Sequence, residues 1–230
     1  MSDMNKQSVC ATMPGKKVAV IAGTPVDTQM GVDYLNKRGG FEPLFLPAFD
    51  EPRTCHVFQM QDQSQKEKIM KALFIKGLGI GAGSFFIYCN SLSGAFDYDE
   101  FGKQMKVKTV TPLNAYARLA KDYKRVGVIA ANASGLAGIE RAFTNANEGC
   151  YVYGTGLLDM VEAIENKEAP ADICERFRLS ELFSYLKGLG AEAIVLGCTH
   201  FPYIRDTAAG LTDLPIIDPA DVMYSVLCGQ

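Results

Sequence analysis

Metal-ligating side chains are scarce in this sequence. It holds two histidines and no CxxC pair. The one local grouping, Cys198-Thr199-His200, offers at most two ligands. A closed structural zinc site takes more, so no metal is expected. A stripe of positive charge is also missing. The net charge is −3, and the short basic runs Lys16-Lys17 and Lys121 to Arg125 each lead into an apolar segment. They read as solvated edges, which excludes nucleic acid and anionic membrane surfaces as partners. No apolar run reaches the length of a membrane span. Met1 to Gly15 is polar without an apolar centre, so a flexible lead-in and no secretory signal are expected there. Seven cysteines, an odd number with no small-scaffold spacing, then read as free thiols in a reducing cytoplasm. GxSxG, GxxxxGK[ST] and HExxH patterns are absent, which removes support for hydrolase, P-loop and zincin chemistry.

What is present is an alternation. Short apolar runs recur at Val18 to Ala22, Leu44 to Leu46, Phe85 to Tyr88, Val107 to Val110, Val126 to Ala131, Tyr151 to Tyr153, Ala193 to Leu196 and Pro215 to Ile217. Runs of this length bounded by Gly, Pro or Asp predict buried parallel strands. Between them lie amphipathic stretches, clearest at Asp172 to Leu189, with others at Val26 to Arg38 and Leu113 to Tyr123. The class is α/β, built from βαβ units. Gly77-Leu-Gly-Ile-Gly-Ala-Gly83 follows a helical pattern and precedes a strand, so it predicts a helix end and a tight turn instead of a dinucleotide loop.

The alternation also repeats. Val18-Ala-Val-Ile-Ala-Gly-Thr24 matches Val126-Gly-Val-Ile-Ala-Ala-Asn132. Phe86-Ile-Tyr-Cys-Asn90 matches Val195-Leu-Gly-Cys-Thr199, and Val110-Thr-Pro112 matches Ile217-Asp-Pro219. The offset stays near about 108 residues at all three landmarks, the mark of a duplication. Two pseudo-symmetric, doubly wound parallel-sheet domains are therefore expected. Residues 1–110 plus 211–230 would form the first and residues 111–210 the second. Each half places a cysteine directly after a buried strand, Cys89 in one and Cys198 in the other. Ligands of open α/β sheets bind at those strand ends, so the two thiols are expected on opposite walls of one cleft.

Two facing thiols suit inversion of a carbon acid. One group must take the α-proton from one face while another returns a proton to the opposite face. A thiol with an ordinary pKa of about 8.5 can do either near neutrality. The first turns after the cysteines offer backbone N–H groups to a thiolate or a carboxylate. Asn90, Ser91 and Thr199 are candidate partners for a substrate carboxylate. His200 is the candidate acid–base partner of Cys198. A lone cysteine is commonly just a small buried residue. Cys10, Cys55, Cys150, Cys174 and Cys228 are read that way.

The segment Ile194-Val-Leu-Gly-Cys-Thr-His-Phe-Pro-Tyr-Ile204 resembles the second-cysteine signature of the aspartate/glutamate racemase family. Cys89-Asn90-Ser91 is similar to its first, Cys-Asn-Thr. Gly23-Thr-Pro-Val-Asp-Thr28 resembles the substrate loop of the aspartate branch, which singles out Thr24, Pro25 and Thr28. Ala130-Ala-Asn-Ala-Ser134 resembles a second-half segment and adds Ser134. The resemblance runs from about Lys16 to the end. It implies amino-acid racemisation without pyridoxal phosphate or any other cofactor, a site between two α/β domains, and a homodimer.

This chain also departs from the pattern. Glutamate racemases carry an Asp-Ser pair after the first strand, where the Asp assists the first cysteine; here the place is held by Ala22-Gly23. His200 is the glutamate-branch residue. Glu51-Pro52-Arg53-Thr54 is close to the aspartate-branch context of the Arg that holds the side-chain carboxylate, since a guanidinium presents a planar fork to it. Lys167 is a second candidate for that task. The mosaic points to an acidic amino acid, aspartate slightly ahead of glutamate. The alternatives are a malonate-type decarboxylase or maleate isomerase on the same scaffold, or a catalytically silent ligand-binding homologue.

Overall fold

The computed structural model describes residues 15–229. The expected N-terminal lead-in, with Cys10, lies outside the described residues except for Gly15. The first half runs β1 (Lys16–Ile21), α1 (Pro25–Arg38), β2 (Phe41–Phe45), α2 (Pro52–Met60), α3 (Gln63–Gly79), β3 (Ser84–Ile87), α4 (Asn90–Ala95), α5 (Tyr98–Met105) and β4 (Lys108–Val110). The second runs α6 (Pro112–Leu119), β5 (Arg125–Ala130), α7 (Ala133–Ala146), β6 (Tyr151–Gly156), α8 (Leu158–Glu165), α9 (Pro170–Arg176), α10 (Leu179–Gly188) and β7 (Ala193–Gly197). A 3-10 turn (Phe201–Ile204), α11 (Arg205–Ala209), β8 (Ile216–Ile217) and α12 (Pro219–Cys228) complete it.

Two four-stranded sheets result, ordered β2-β1-β3-β4 and β6-β5-β7-β8. All the pairings are parallel. The expected two-sheet α/β class is observed, and the strand order is the same in both sheets. Val18 to Ala22 and Ala193 to Leu196 are buried at every position. That is why these strands read as unbroken apolar runs: helices cover both faces. In each sheet the order reverses between the first and third strands, and the carboxyl ends there are where open α/β sheets bind ligands.

The helix after each edge strand crosses to the opposite half. β4 belongs to the first sheet, yet α6 after it sends Tyr116 and Leu119 into the second half's core. β8 belongs to the second sheet, yet α12 after it sends Ala220, Met223, Tyr224 and Leu227 into the first. α6 and α12 also pack against each other. The placing of all of 211–230 in the first unit is corrected by this: Ile216 pairs with Ile194 and Ile217 with Val195. The apolar Pro215 to Ile217 run is long enough to add an edge to β7, and Pro219 then opens the helix that returns.

The stretch Asp172 to Leu189 is two helices, not one. Arg178 takes φ 51, a left-handed conformation that ends one helix direction and begins another. The turn lets Ile173, Leu179, Phe183 and Leu186 share one core. The Gly77–Gly83 run ends α3 and turns at Gly81, φ +93, before β3. Among the described residues no helix is long and apolar enough to cross a membrane.

α1 lies close on β1 because Gly31 carries no side chain. A Cβ there would stand 2.7 Å from Val20 Cγ1 and 2.9 Å from Tyr88 Cγ. Gly31→Ala is therefore expected to destabilise the protein by about 1–3 kcal/mol through overpacking, even though alanine is the better helix former by about 1 kcal/mol. Urea denaturation checks this, and an unchanged or raised midpoint would contradict the packing.

Candidate active site

Cys89 stands at the N-terminal cap of α4 and Cys198 directly follows β7. These are equivalent places in the two sheets. The thiols are 6 % and 8 % exposed. The first turn of α4 opens directly after the Cys89 thiol. An unpaired helix N–H is a natural donor to a sulfur anion.

His200 sits beside the second thiol. Its Nδ1 is 3.6 Å from Cys198 Sγ. Its Nε2 is 3.1 Å from Glu165 Oε1 and 3.3 Å from Asp27 Oδ1. Asp27 belongs to α1 of the first half and Glu165 ends α8 of the second, so this contact bridges the halves. Burial opposes a charged imidazole here. Hydrogen bonds from Cys198 and Glu165, with the charges of Cys198 and Asp27, outweigh it and raise His200 to about 10. At neutral pH the ring is an imidazolium with one N–H between two carboxylates and the other facing a sulfur.

The two carboxylates respond in opposite directions. The hydrogen bond to His200 lowers Glu165, which is partly solvated. Burial raises Asp27 in spite of His200 and Thr24. Desolvation wins at the deeper group. Ligand atoms of Asp27, Glu165 and His200 lie within 4.8 Å of one another, close enough for a cation. With His200 raised to about 10, the same three groups form a clamp on the imidazole's Nε2 proton.

Asn90 follows Cys89. Tyr116 Oη donates to Asn90 Oδ1 at 2.6 Å, reaching across from α6. This hydrogen bond turns the amide so that Asn90 Nδ2 is left buried without a partner among the described residues. An orphan buried donor costs about 1–3 kcal/mol, and a carboxylate ligand would relieve it.

The other residues expected at the site are placed as follows. Thr24 caps α1; its hydroxyl donates to Asp27 Oδ1 at 2.7 Å. Pro25 opens the helix, and the buried Thr28 hydroxyl donates to the Thr24 carbonyl at 2.7 Å. Both hydroxyls are thus spent on the loop that aims Asp27. Thr199 is buried next to Cys198 and Ser91 is half-buried in the first turn of α4. Ser134 is exposed in the first turn of α7, where Asn132 Oδ1 caps Gly135 N at 2.8 Å. Arg53 is exposed on α2, and Lys167 is exposed beyond α8 with φ 58. Thr24, His200 and Cys198 are joined through Asp27, Cys89 and Asn90 open α4 in the equivalent place of the other sheet, and Ser134, Arg53 and Lys167 are exposed.

Asp27, Glu165, Cys55 and Tyr116 were not singled out from the sequence. Asp27 is three residues after a helix-capping Thr and reads as an ordinary first-turn acid. Glu165 and Tyr116 lie in amphipathic stretches with no local signal. Cys55 was read as a filler and is buried in the first half's core, where interaction with Cys89 lowers its thiol. Away from this cluster, an open cavity of about 540 Å³ is lined by residues including Ser93, Phe96, Asp97 and Leu113, and contains neither thiol.

A family model described as Asp/Glu/Hydantoin racemase matches residues 81–226. A glutamate racemase of Desulforudis audaxviator is 29% identical over 175 residues, 73% of this chain. The chain spans 63% of that relative's length. Among solved structures, glutamate racemase from Francisella tularensis in complex with D-glutamate is similar with a TM-score of 0.65 at 18% identity, over 92% of this chain and 81% of that one. Aspartate racemase of Picrophilus torridus is similar with a TM-score of 0.61 at 16% identity, over 93% of each chain. At such identities the structural likeness concerns the fold.

The raised His200 has a consequence for stability. A group bound to its proton more tightly in the folded state adds stability that is fully present below its ordinary value of 6.5 and is lost as pH rises through about 10. The stability difference between the protein and His200→Gln, from urea denaturation, is expected to shrink between those limits. A difference independent of pH would show that the ring is not held as a cation.

Proposed function

Since the chain belongs to the Asp/Glu/hydantoin racemase family, we propose that it racemises a small acidic amino acid without a cofactor, passing the α-proton between Cys89 and Cys198. The observation that carries this reading is the equivalence of the two thiols. Each follows the third strand of a sheet with the same strand order, and the Asp27–His200 contact holds the two halves together beside them.

The chemistry follows from those positions. The α-proton of an amino acid is a weak acid, and the carbanion left behind is high in energy. One cysteine, as thiolate, removes the proton. The other, as thiol, delivers its own to the opposite face, and the C–H bond re-forms with inverted configuration. The charge has then moved from one sulfur to the other, and the reverse reaction begins from that state. His200 offers a charged N–H donor to Cys198 when that sulfur is the anion. Asn90 Nδ2 and the free N–H groups opening α4 receive the α-carboxylate. Ser91 and Thr199 flank the same carboxylate. Thr24 and Thr28 act through Asp27, by fixing the clamp.

The side-chain carboxylate is left to Arg53 or Lys167, since His200 is the one buried cation among the described residues and its N–H groups are engaged. Glutamate and aspartate are the two substrates to set against each other: relatives carry both names. A malonate-type decarboxylase needs a single thiol, so a partnered thiol on each wall supports racemisation over that lyase and over a silent binder.

The test is α-proton exchange in D₂O, followed by NMR for each enantiomer of aspartate and glutamate. Exchange is expected with one pair, and is expected to fall by about 100-fold or more in both Cys89→Ser and Cys198→Ser. No exchange with any of the four, or exchange indifferent to either substitution, would overturn the proposal. Tyr116→Phe keeps the ring but frees the Asn90 amide. It is expected to raise KM about tenfold, the effect of losing one charge-assisted hydrogen bond to substrate. An unchanged KM would remove Asn90 from carboxylate binding.

A further inference from the structure

The α-carbon of an amino acid carries two charged groups, a carboxylate and an ammonium. The buried Asn90 Nδ2, without a partner among the described residues, suits the first. The second calls for an anionic acceptor with a free oxygen, and Asp27 has one. Its side chain is 9 % exposed. Oδ1 accepts the Thr24 hydroxyl at 2.7 Å and faces His200 Nε2 at 3.3 Å. Oδ2 has no hydrogen bond among the described residues. It is not enclosed either, unlike the two buried side-chain atoms left without a partner, Gln61 Oε1 and Asn90 Nδ2. An open carboxylate oxygen on a side chain this buried is poised for a small cation.

The backbone places that oxygen between the two walls. Ile21 of β1 pairs with Ile87 of β3, and Tyr88 N donates to Ile21 O at 2.7 Å. The chain after β1 therefore leaves the sheet beside Tyr88 and Cys89, and Gly23 lies on it. A Cβ on Gly23 would stand 3.5 Å from Asp27 Oδ2. Because residue 23 is a glycine, the loop lays no side chain of its own there. The other oxygen faces the imidazole whose Nδ1 is 3.6 Å from Cys198 Sγ. Asp27 thus reaches from the strand end that leads to Cys89 to the histidine beside Cys198. Charge agrees with position. Asp27 and Glu165 set two carboxylates against one imidazolium, so one negative charge is in excess. Burial raises Asp27, and a cation at Oδ2 would offset that cost.

We propose that Asp27 Oδ2 receives the α-ammonium of the substrate and so selects a free α-amino acid. The inference rests on the racemase reading, which supplies the ligand. An ammonium held there keeps its proton, and its positive charge stabilises the carbanion that forms on the neighbouring carbon. With the carboxylate on Asn90, the α-carbon is fixed at two points while its hydrogen changes sides. The family's description spans amino acids and hydantoins. A hydantoin ring offers neutral N–H groups where an amino acid offers a cation, so this oxygen favours the amino acid.

The experiment is calorimetric titration of the full protein and of Asp27→Asn, which keeps the size and the Oδ1 acceptor and lacks the charge. The ligands are racemic aspartate against racemic malate, and racemic glutamate against racemic 2-hydroxyglutarate. Each pair differs only in ammonium against hydroxyl. The unaltered protein is expected to bind the amino acid of one pair about tenfold or more tightly than its hydroxy acid, the effect of a charged hydrogen bond. Asp27→Asn, shown folded by circular dichroism, is expected to lose that preference while its affinity for the hydroxy acid changes by less than about threefold. The hydantoin of the same side chain is expected to follow the hydroxy acid. Equal binding within both pairs by the unaltered protein overturns the proposal, and needs no variant. So does a loss of affinity in Asp27→Asn that is the same for both members of a pair, because that is the mark of a disturbed clamp. A preference that depends on Asp27 in a protein that exchanges no α-proton would instead overturn the racemase reading and leave the ammonium site standing.

Discussion

The cleft is organised by a buried imidazolium between two carboxylates from opposite halves. His200 Nε2 lies between Asp27 and Glu165, and Asp27 is held in turn by Thr24. Taking these charges out of water is costly, and the arrangement persists because each charge has a partner at hydrogen-bond distance. The same contact ties α1 of the first half to the loop after β7. It also fixes which nitrogen faces Cys198: with Nε2 committed to the carboxylates, Nδ1 is the one left for the sulfur.

Duplication gave the molecule two equivalent thiols but not two equivalent environments. The backbone repeats closely, in strand order, in the capped helix after the first strand and in the crossing helices α6 and α12. The side chains around the sulfurs do not repeat. Cys198 has an imidazole nitrogen 3.6 Å from its sulfur, while Cys89 stands at the cap of α4. The proposed two-base reaction needs each sulfur to be acceptable both as thiol and as thiolate, and the two surroundings differ. The crossing helices serve the site as well. Tyr116 on α6 packs in the second core while its hydroxyl orients Asn90, the residue after the first thiol, so geometry on one side depends on packing on the other.

Much of the fold was legible in the sequence, because buried parallel strands leave unbroken apolar runs and the runs recur at a fixed interval. All eight runs are strands, and Cys89 and Cys198 were singled out because a repeat makes position informative. What was hidden depends on contacts between distant segments. Glu165 reaches His200 from a helix whose sequence marks only a solvated face. Asp27 was masked by its plausible role as a helix-capping acid. Arg53, marked by its likeness to the aspartate-branch context, and Lys167, marked by its charge, are both exposed, as long cations commonly are. The break at Arg178 carries no glycine or proline to announce it. The run at Pro215 to Ile217 was legible as a strand, but a two-residue edge strand carries no pattern that says which sheet it joins.

The central claim is that two sulfurs work on opposite faces of one α-carbon, and the isotope content of the first product tests it most directly. A single enantiomer of the active substrate is placed in D₂O, and deuterium at the α-carbon is measured in both enantiomers before equilibrium. Two opposed bases predict a product enantiomer carrying deuterium while unreacted substrate keeps its proton, with the optical signal overshooting zero before it settles. Deuterium entering both enantiomers equally from the start would mean one base serving both faces, and would contradict the account.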